Sequence, residues 1–236
     1  MRHQGTWHDS TGNDRPVWQH LSKNFAGERD CLAAFLALET AEVLWGTKPA
    51  NLVSIVNRKR DCGRNLYALW DNYGTELVTE FGLKFRELAN NANHRLLLMY
   101  HEESMSALLA QKKVAAVLNR AGYRSPADSE LILDELQARM REEKFPHEIG
   151  VFLGYPLKDV VGFMGWVALP FSCQGPWKIF GRPEKSLQLA DLHRTCRCRM
   201  ASLLSCCHTP LACVNQAVQD GSWAPRLDSS FSASTH

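Results

Sequence analysis

Two prolines and four glycines divide FPHEIGVFLGYPLKDVVGFMG, residues 145–165, into short apolar segments. Proline opens a helix at no cost, because the first N–H groups have no partner within the helix, and glycine closes one by turning left-handed. The spacing therefore predicts a helix opened by Pro146, with Ile149, Phe152 and Leu153 on one face and Gly154 as its cap. A second helix opens at Pro156 and buries Leu157, Val160, Val161 and Met164. Asp159 falls in its first turn, as Glu148 does in the first, and a carboxylate there is favoured by the helix dipole. His147 gains nothing from positive charge at that end and reads as a neutral, hydrogen-bonded side chain.

The same reasoning extends along the chain. RDCLAAFLALETAEVLW has helical spacing and a stop at Gly46, while NLVSIV after Lys48-Pro49 fits either a helix turn or a buried strand. Leu66, Leu69, Trp70, Tyr73 and Leu77 step by three and four, which predicts an amphipathic helix over 61–81 closed by Gly82. LKFRELANNANHRLLLMYH reads as an antiparallel hairpin with an Asn-rich turn. EESMSALLAQ and KKVAAVLNRAG read as helices, and Ser125-Pro126 opens another with Ile132, Leu136 and Met140 on one stripe. GPWKIFG, bounded by glycines, has the look of a third strand that joins the hairpin. The expected fold class is α+β, a helix-rich single domain packed on a small, mainly antiparallel sheet. It spans 28–207, between a polar N-terminal arm (1–27) and a polar, flexible C-terminal tail (208–236).

Charge and composition exclude several roles. Lys plus Arg number 27 against 25 Asp plus Glu, a net +2 that supplies no field to attract nucleic acid or an anionic membrane. Val160–Phe171 is the most apolar later run, but it holds two Gly and a Pro in about a dozen residues, short of the roughly 20 that cross a bilayer. The start carries no apolar signal segment, so a cytoplasmic location is expected. There the eight cysteines are expected to be reduced thiols.

A zinc-peptidase helix needs a second His four residues after the first, but Val151 follows His147 and Met105 follows His101 at that distance. On the helix that leads into CRCRMASLLSCC, Leu189, Leu192, Cys196, Met200, Leu203 and Cys207 form a core stripe. Cys198 points about 200° away from Cys196 on a helix, so the two do not chelate one ion. The remaining metal candidates are Cys173 and Cys196 with His193, as an iron or zinc site. WGTKPAN lacks the glycine-rich loop that cradles phosphate, and no nucleophile-elbow or dinucleotide-binding glycine pattern is present.

FPHEIGVFLGYPLKDVVGFM, with CQGPWKIFG and a Cys196-bearing helix downstream and LWGTKPANL and FGLKFRELANNANHRLLLMYH upstream, closely resembles the bacterial domain-of-unknown-function family 3793. The resemblance covers roughly residues 38–207 and implies a lean towards iron or redox physiology. This chain departs from the pattern at Thr40, where relatives tend to carry a cysteine some eight residues before the lysine matching Lys48. A site built on that thiol is not carried over.

Three readings follow. The first is an accessory protein of iron or redox metabolism that binds a metal, cofactor or redox partner, with His147, Glu148, Tyr155, Trp177, Lys178 and Lys48 as ligand-binding candidates. The second is a protein-interaction or regulatory module with no chemistry of its own. The third, an enzyme with His147 as general base beside Glu148 or Tyr155, is the least favoured, because it needs a pocket and a perturbed pKa that sequence does not display.

Overall fold

In the computed structural model, which describes residues 18–124, 128–141 and 145–221, three strands pair antiparallel in the order β1-β3-β2. They are Ala50–Val56 (β1), Lys84–Asn90 (β2) and His94–Tyr100 (β3). The β2–β3 hairpin is the one expected. Asn91 makes its turn by accepting from the Asn93 and His94 amides at 2.9 and 3.1 Å. The open choice at NLVSIV resolves as a strand, with Val53 and Ile55 buried on alternate positions of β1. As the central strand, β3 is covered on both faces, which is why it reads as one apolar run without alternation. Leu97 and Met99 face one side, Leu98 and Tyr100 the other. The β2–β3 register slips between Glu87 and Ala89, and the extra residue, Leu88, is buried in the second core.

The first face is covered by Glu28–Glu39 (α2), Ala41–Leu44 (α3), a continuous helical stretch over 66–80, Glu184–Ser205 (α11) and Pro210–Gln219 (α12). The 66–80 stretch comprises Leu66–Leu69 (α4), a wide π turn at Trp70–Gly74 and Thr75–Glu80 (α5). Gly74 serves the π turn directly: a Cβ there would lie 2.4 Å from the Trp70 ring. The second face is covered by Glu102–Leu109 (α6), Lys112–Arg120 (α7), Ser129–Met140 (α8), Ile149–Phe152 (α9) and Leu157–Phe163 (α10). Phe171–Gln174 (β4) and Lys178–Phe180 (β5) form a separate two-stranded sheet. No helix among the described residues is long and apolar enough to cross a membrane.

Several expectations need correction. GPWKIFG does form a strand, but β5 pairs with β4 and leaves the hairpin's free side to β1. The helix expected from Asp61 begins at Leu66, because residues 60–64 close a turn through the Arg60 amide and the Arg64 carbonyl at 2.8 Å, and Asn65 caps the helix. The helix expected from Pro146 begins at Ile149, with 146–149 folded as a single turn. The buried stripe of α11 runs through His193, Cys196, Met200 and Leu204, with Arg197 beside it, while Leu189, Leu192 and Leu203 are half-buried. Order also reaches into both expected arms. Trp18–Leu21 (α1) packs Trp18 edge-on to Phe35, and α12 lies along α2 with Val214 fully buried. Ser125-Pro126 and the outer parts of both arms lie outside the described residues, where α8 is seen from its cap, Asp128, onwards.

Candidate functional site

Glycine governs how the 145–165 segment meets the sheet. Gly154 has φ +71°, and a Cβ on it would approach Pro49 Cδ to 2.6 Å. Only glycine combines that backbone with that contact. The chain thereby places Tyr155 beside the turn that carries Lys48 into β1.

From this junction a continuous column of side chains runs into α11. The Lys48 ammonium, 7% exposed, donates to Asn51 Oδ1 at 2.7 Å and sits 5.3 Å above the Tyr155 ring. Tyr155 stacks on Trp177 at 4.5 Å, and Trp177 meets His193 at 6.1 Å. His193 Nε2 donates to the Thr47 carbonyl at 3.3 Å, and the Thr47 hydroxyl contacts Cys196 Sγ at 3.5 Å. Asn51 donates in turn to the Glu39 carbonyl at 2.6 Å, and the Glu39 carboxylate takes the Arg197 guanidinium at 2.5 Å. Burial pushes the Cys196 thiol up, with the Thr47 contact opposing it. Such a thiol packs and does not react.

Asp159 anchors the same column from α10 and is the residue that sequence reasoning undervalued. Its carboxylate, 2% exposed, accepts from the Ser186 hydroxyl at 2.6 Å, Lys158 Nζ at 2.7 Å, and the Trp177 indole and Phe180 amide at 2.9 Å each. Burial alone would raise its pKa. Lys158, the Phe180 amide, Ser186 and Trp177 outweigh burial and hold the carboxyl below the usual carboxylate range. Asp159 does fall in the first turn of α10, and its bonds join α10, β5 and α11.

The other candidates gather on the outer side of the segment. His147 meets the Phe163 ring edge-on at 5.0 Å, and Lys178 Nζ lies 5.4 Å above the same ring. Glu148 is buried, accepting from Arg139 at 3.2 Å and from the Tyr123 hydroxyl at 3.3 Å. It is the N-cap residue of α9 but makes no cap bond, so the expected gain from the helix dipole is replaced by an ion pair. Burial, and then the Glu148 charge, push the Tyr123 phenol far up. An open pocket of about 280 Å³ lies here, lined by Phe145, His147, Arg139, Met164 and Trp166 among others. Cys173 stands in β4 opposite Ile179, and Cys196 is engaged by Thr47. Among the described residues no group of three or more His, Cys, Asp and Glu side chains is placed to hold a metal ion, so Cys173, Cys196 and His193 do not form the site that their residue types suggested.

A family model described as "Protein of unknown function (DUF3793)" matches residues 36–212. The chain belongs to the DUF3793 family. No curated protein and no solved structure matches it. In this DUF3793 protein the PHEIG and GYP residues and the downstream Trp177-Lys178 pair thus divide between two neighbourhoods. Lys48, Tyr155, Trp177, His193 and Cys196 build a closed, packed column, whereas His147 and Lys178 flank an open aromatic surface. Phe163, Trp166 and Phe171 on that surface were missed as site residues. The run of aromatic and aliphatic residues after Gly162, too short for a membrane and too broken for a core helix, was the available signal.

Proposed function

We propose that this protein acts as a binding module that docks an acidic protein partner on the aromatic surface beside His147. The observation that carries the reading is exposure: Phe145, Phe163 and Phe171 are 49%, 43% and 56% exposed, with Val167 and Leu169 exposed between the last two. Large apolar side chains grouped in this way mark interaction sites. Phe171 is propped edge-on against Phe180 at 6.0 Å, and Leu169 sits beside Gly181, so the surface rests on the β4–β5 hairpin. Exposed cations accompany it. Lys178 lies over Phe163, and the Arg120 guanidinium lies 4.7 Å from the Trp166 ring. Apolar anchors with a cationic rim suit a partner that presents apolar side chains among carboxylates.

A redox protein is one partner of this kind, which keeps the reading compatible with the physiology implied by the family resemblance. The metal-binding form of that role lacks a ligand group among the described residues. General-base catalysis at His147 has less support, since Glu148 is committed to Arg139 and Tyr123, and Tyr155 to Trp177.

A photo-crosslinking residue in place of Leu169 tests the proposal in native extract. A discrete acidic polypeptide should be captured, and its yield should fall at least tenfold in the pair Phe163→Ser, Phe171→Ser and in the charge reversal Lys178→Glu, Arg120→Glu. Equal capture by both folded variants would overturn the proposal.

A further inference from the structure

The two edges of the three-stranded sheet are built differently. Along β2 the edge is covered. There α8 lies against the strand, Gln137 Nε2 donates to the Glu87 carbonyl, Arg86 bridges to Glu130 and Asp134 of α8 at 2.5 and 2.7 Å, and Leu88 bulges out of register. Covering helices and bulges are how a sheet stops adding strands. Along β1 these devices are missing. Ala50–Val56 is seven residues long, contains no proline or charge, keeps its register throughout, and pairs only with β3 among the described residues.

Register parity fixes which backbone groups of β1 point outward. The His101 amide donates to the Pro49 carbonyl at 3.2 Å and the Asn57 amide to the Asn93 carbonyl at 2.7 Å, both in line with the pairing of Val53 with Leu97 and Ile55 with Arg95. Bonded pairs alternate along an antiparallel ladder. The odd-numbered residues of β1 therefore bond β3, and the N–H and C=O groups of Leu52, Ser54 and Val56 turn to the other side. Ser54 is exposed, and Leu52 and Val56 are half-buried, so that side is open at the middle of the strand. The Val56 carbonyl also accepts from the Arg58 amide at 2.9 Å, where the edge ends.

The edge is self-complementary. Leu52-Val53-Ser54-Ile55-Val56 has the same chemistry read in either direction, with Ser54 at the centre. Laid antiparallel on a second copy with Ser54 facing its counterpart, Leu52 falls opposite Val56 and Val53 opposite Ile55. Every apolar side chain then meets an apolar one, and hydroxyl meets hydroxyl. Centring the pairing on Val53 would set Leu52 against Ser54, and centring it on Leu52 would set Val53 against Asn51.

We propose that two copies of this chain join through β1 about a two-fold axis at Ser54, making one continuous sheet in the order β2-β3-β1-β1-β3-β2. The Ser54 amides and carbonyls bond each other across the axis, and those of Leu52 bond those of Val56 on either side. Such a pairing uses the open edge of both copies at once. The edges left over are the two β2 strands under α8, so growth stops at the dimer.

Light scattering on the full-length protein at high micromolar concentration should give twice the chain mass of 26.6 kDa. Ser54→Lys sets two like charges opposite each other at the axis and should weaken the dimer by about tenfold or more. Ser54→Pro removes an N–H that its own sheet does not use and should likewise give folded monomer. Under mild oxidation Ser54→Cys should link to itself between copies, since bonded residues face each other with Cα atoms about 5.5 Å apart. Val56→Cys should link to Leu52→Cys in a mixture and not to itself. The pair Phe163→Ser, Phe171→Ser should stay dimeric. The proposal is overturned if the wild type is monomeric, if folded Ser54→Lys dimerises as tightly as wild type, if Val56→Cys links to itself as readily as Ser54→Cys, or if removing the two phenylalanines is what yields monomer.

Discussion

Asp159 carries more of the local order than any residue named by motif, because four donors from α10, β5 and α11 converge on one buried carboxylate. Asp159→Ala would leave the Trp177 indole, the Ser186 hydroxyl and the Phe180 amide without their acceptor, at a cost of about 3–5 kcal/mol. The sign with pH follows from the lowered folded pKa. The contribution is complete above the unfolded value of about 3.9 and is lost as pH falls through the lower folded value. Urea midpoints taken from pH 7 down to 3 should therefore show wild type well above Asp159→Asn at neutral pH and the two converging in acid. A constant gap would contradict the assignment. Little of this was legible in the chain, since the partners of Asp159 lie up to 27 residues away. Glu148 was misread for the same reason, its partners Arg139 and Tyr123 lying 9 and 25 residues away along the chain. Gly154 was legible, because a left-handed cap is a local matter that proline and glycine spacing reports.

Elements with strong periodicity were readable and short ones were not. The hairpin, α6, α7 and the long α11 follow from patterns sustained over many residues. By contrast, α12 buries only Pro210, Val214 and Ala217, three small contacts at helical spacing inside a polar stretch. Its helical state is set by α2 and not by its own composition. Val214→Asp would place a charge in that seam and cost about 3 kcal/mol or more, whereas Val218→Asp, on the exposed side, should stay within about 0.5 kcal/mol of wild type. Chemical denaturation of the two variants checks the seam, and equal stabilities would mean that the helix is not docked. β4 was invisible for a related reason: Phe171, Ser172 and Gln174 are exposed, so no buried face imposed alternation on the strand. The strand–strand pairing of GPWKIFG could then be assigned only to the wrong partner.

At the scale of the whole molecule, two apolar clusters share one central strand. Leu97 faces the cluster built on α2 and α11, Leu98 the cluster built on α6–α10, and both side chains are fully buried. Composition could announce enough apolar surface for a core but not its division, because the run LLLMY is apolar whichever way each residue points. A strand clamped from both sides cannot lose one cluster without exposing a face of the other's support. Unfolding is therefore expected to be a single transition. Leu97→Ala and Leu98→Ala should each cost about 2–5 kcal/mol, and each should lower the stability of both clusters together. Hydrogen exchange at the Leu36 and Leu38 amides of α2 reports the first cluster, and exchange at the Leu133 and Leu136 amides of α8 reports the second. If Leu98→Ala released α8 while the α2 amides kept their native protection, the clusters would be separate folding units joined at β3. Coincident loss instead makes the central strand the element through which the cluster under the aromatic surface and the cluster on α2 and α11 share a common stability.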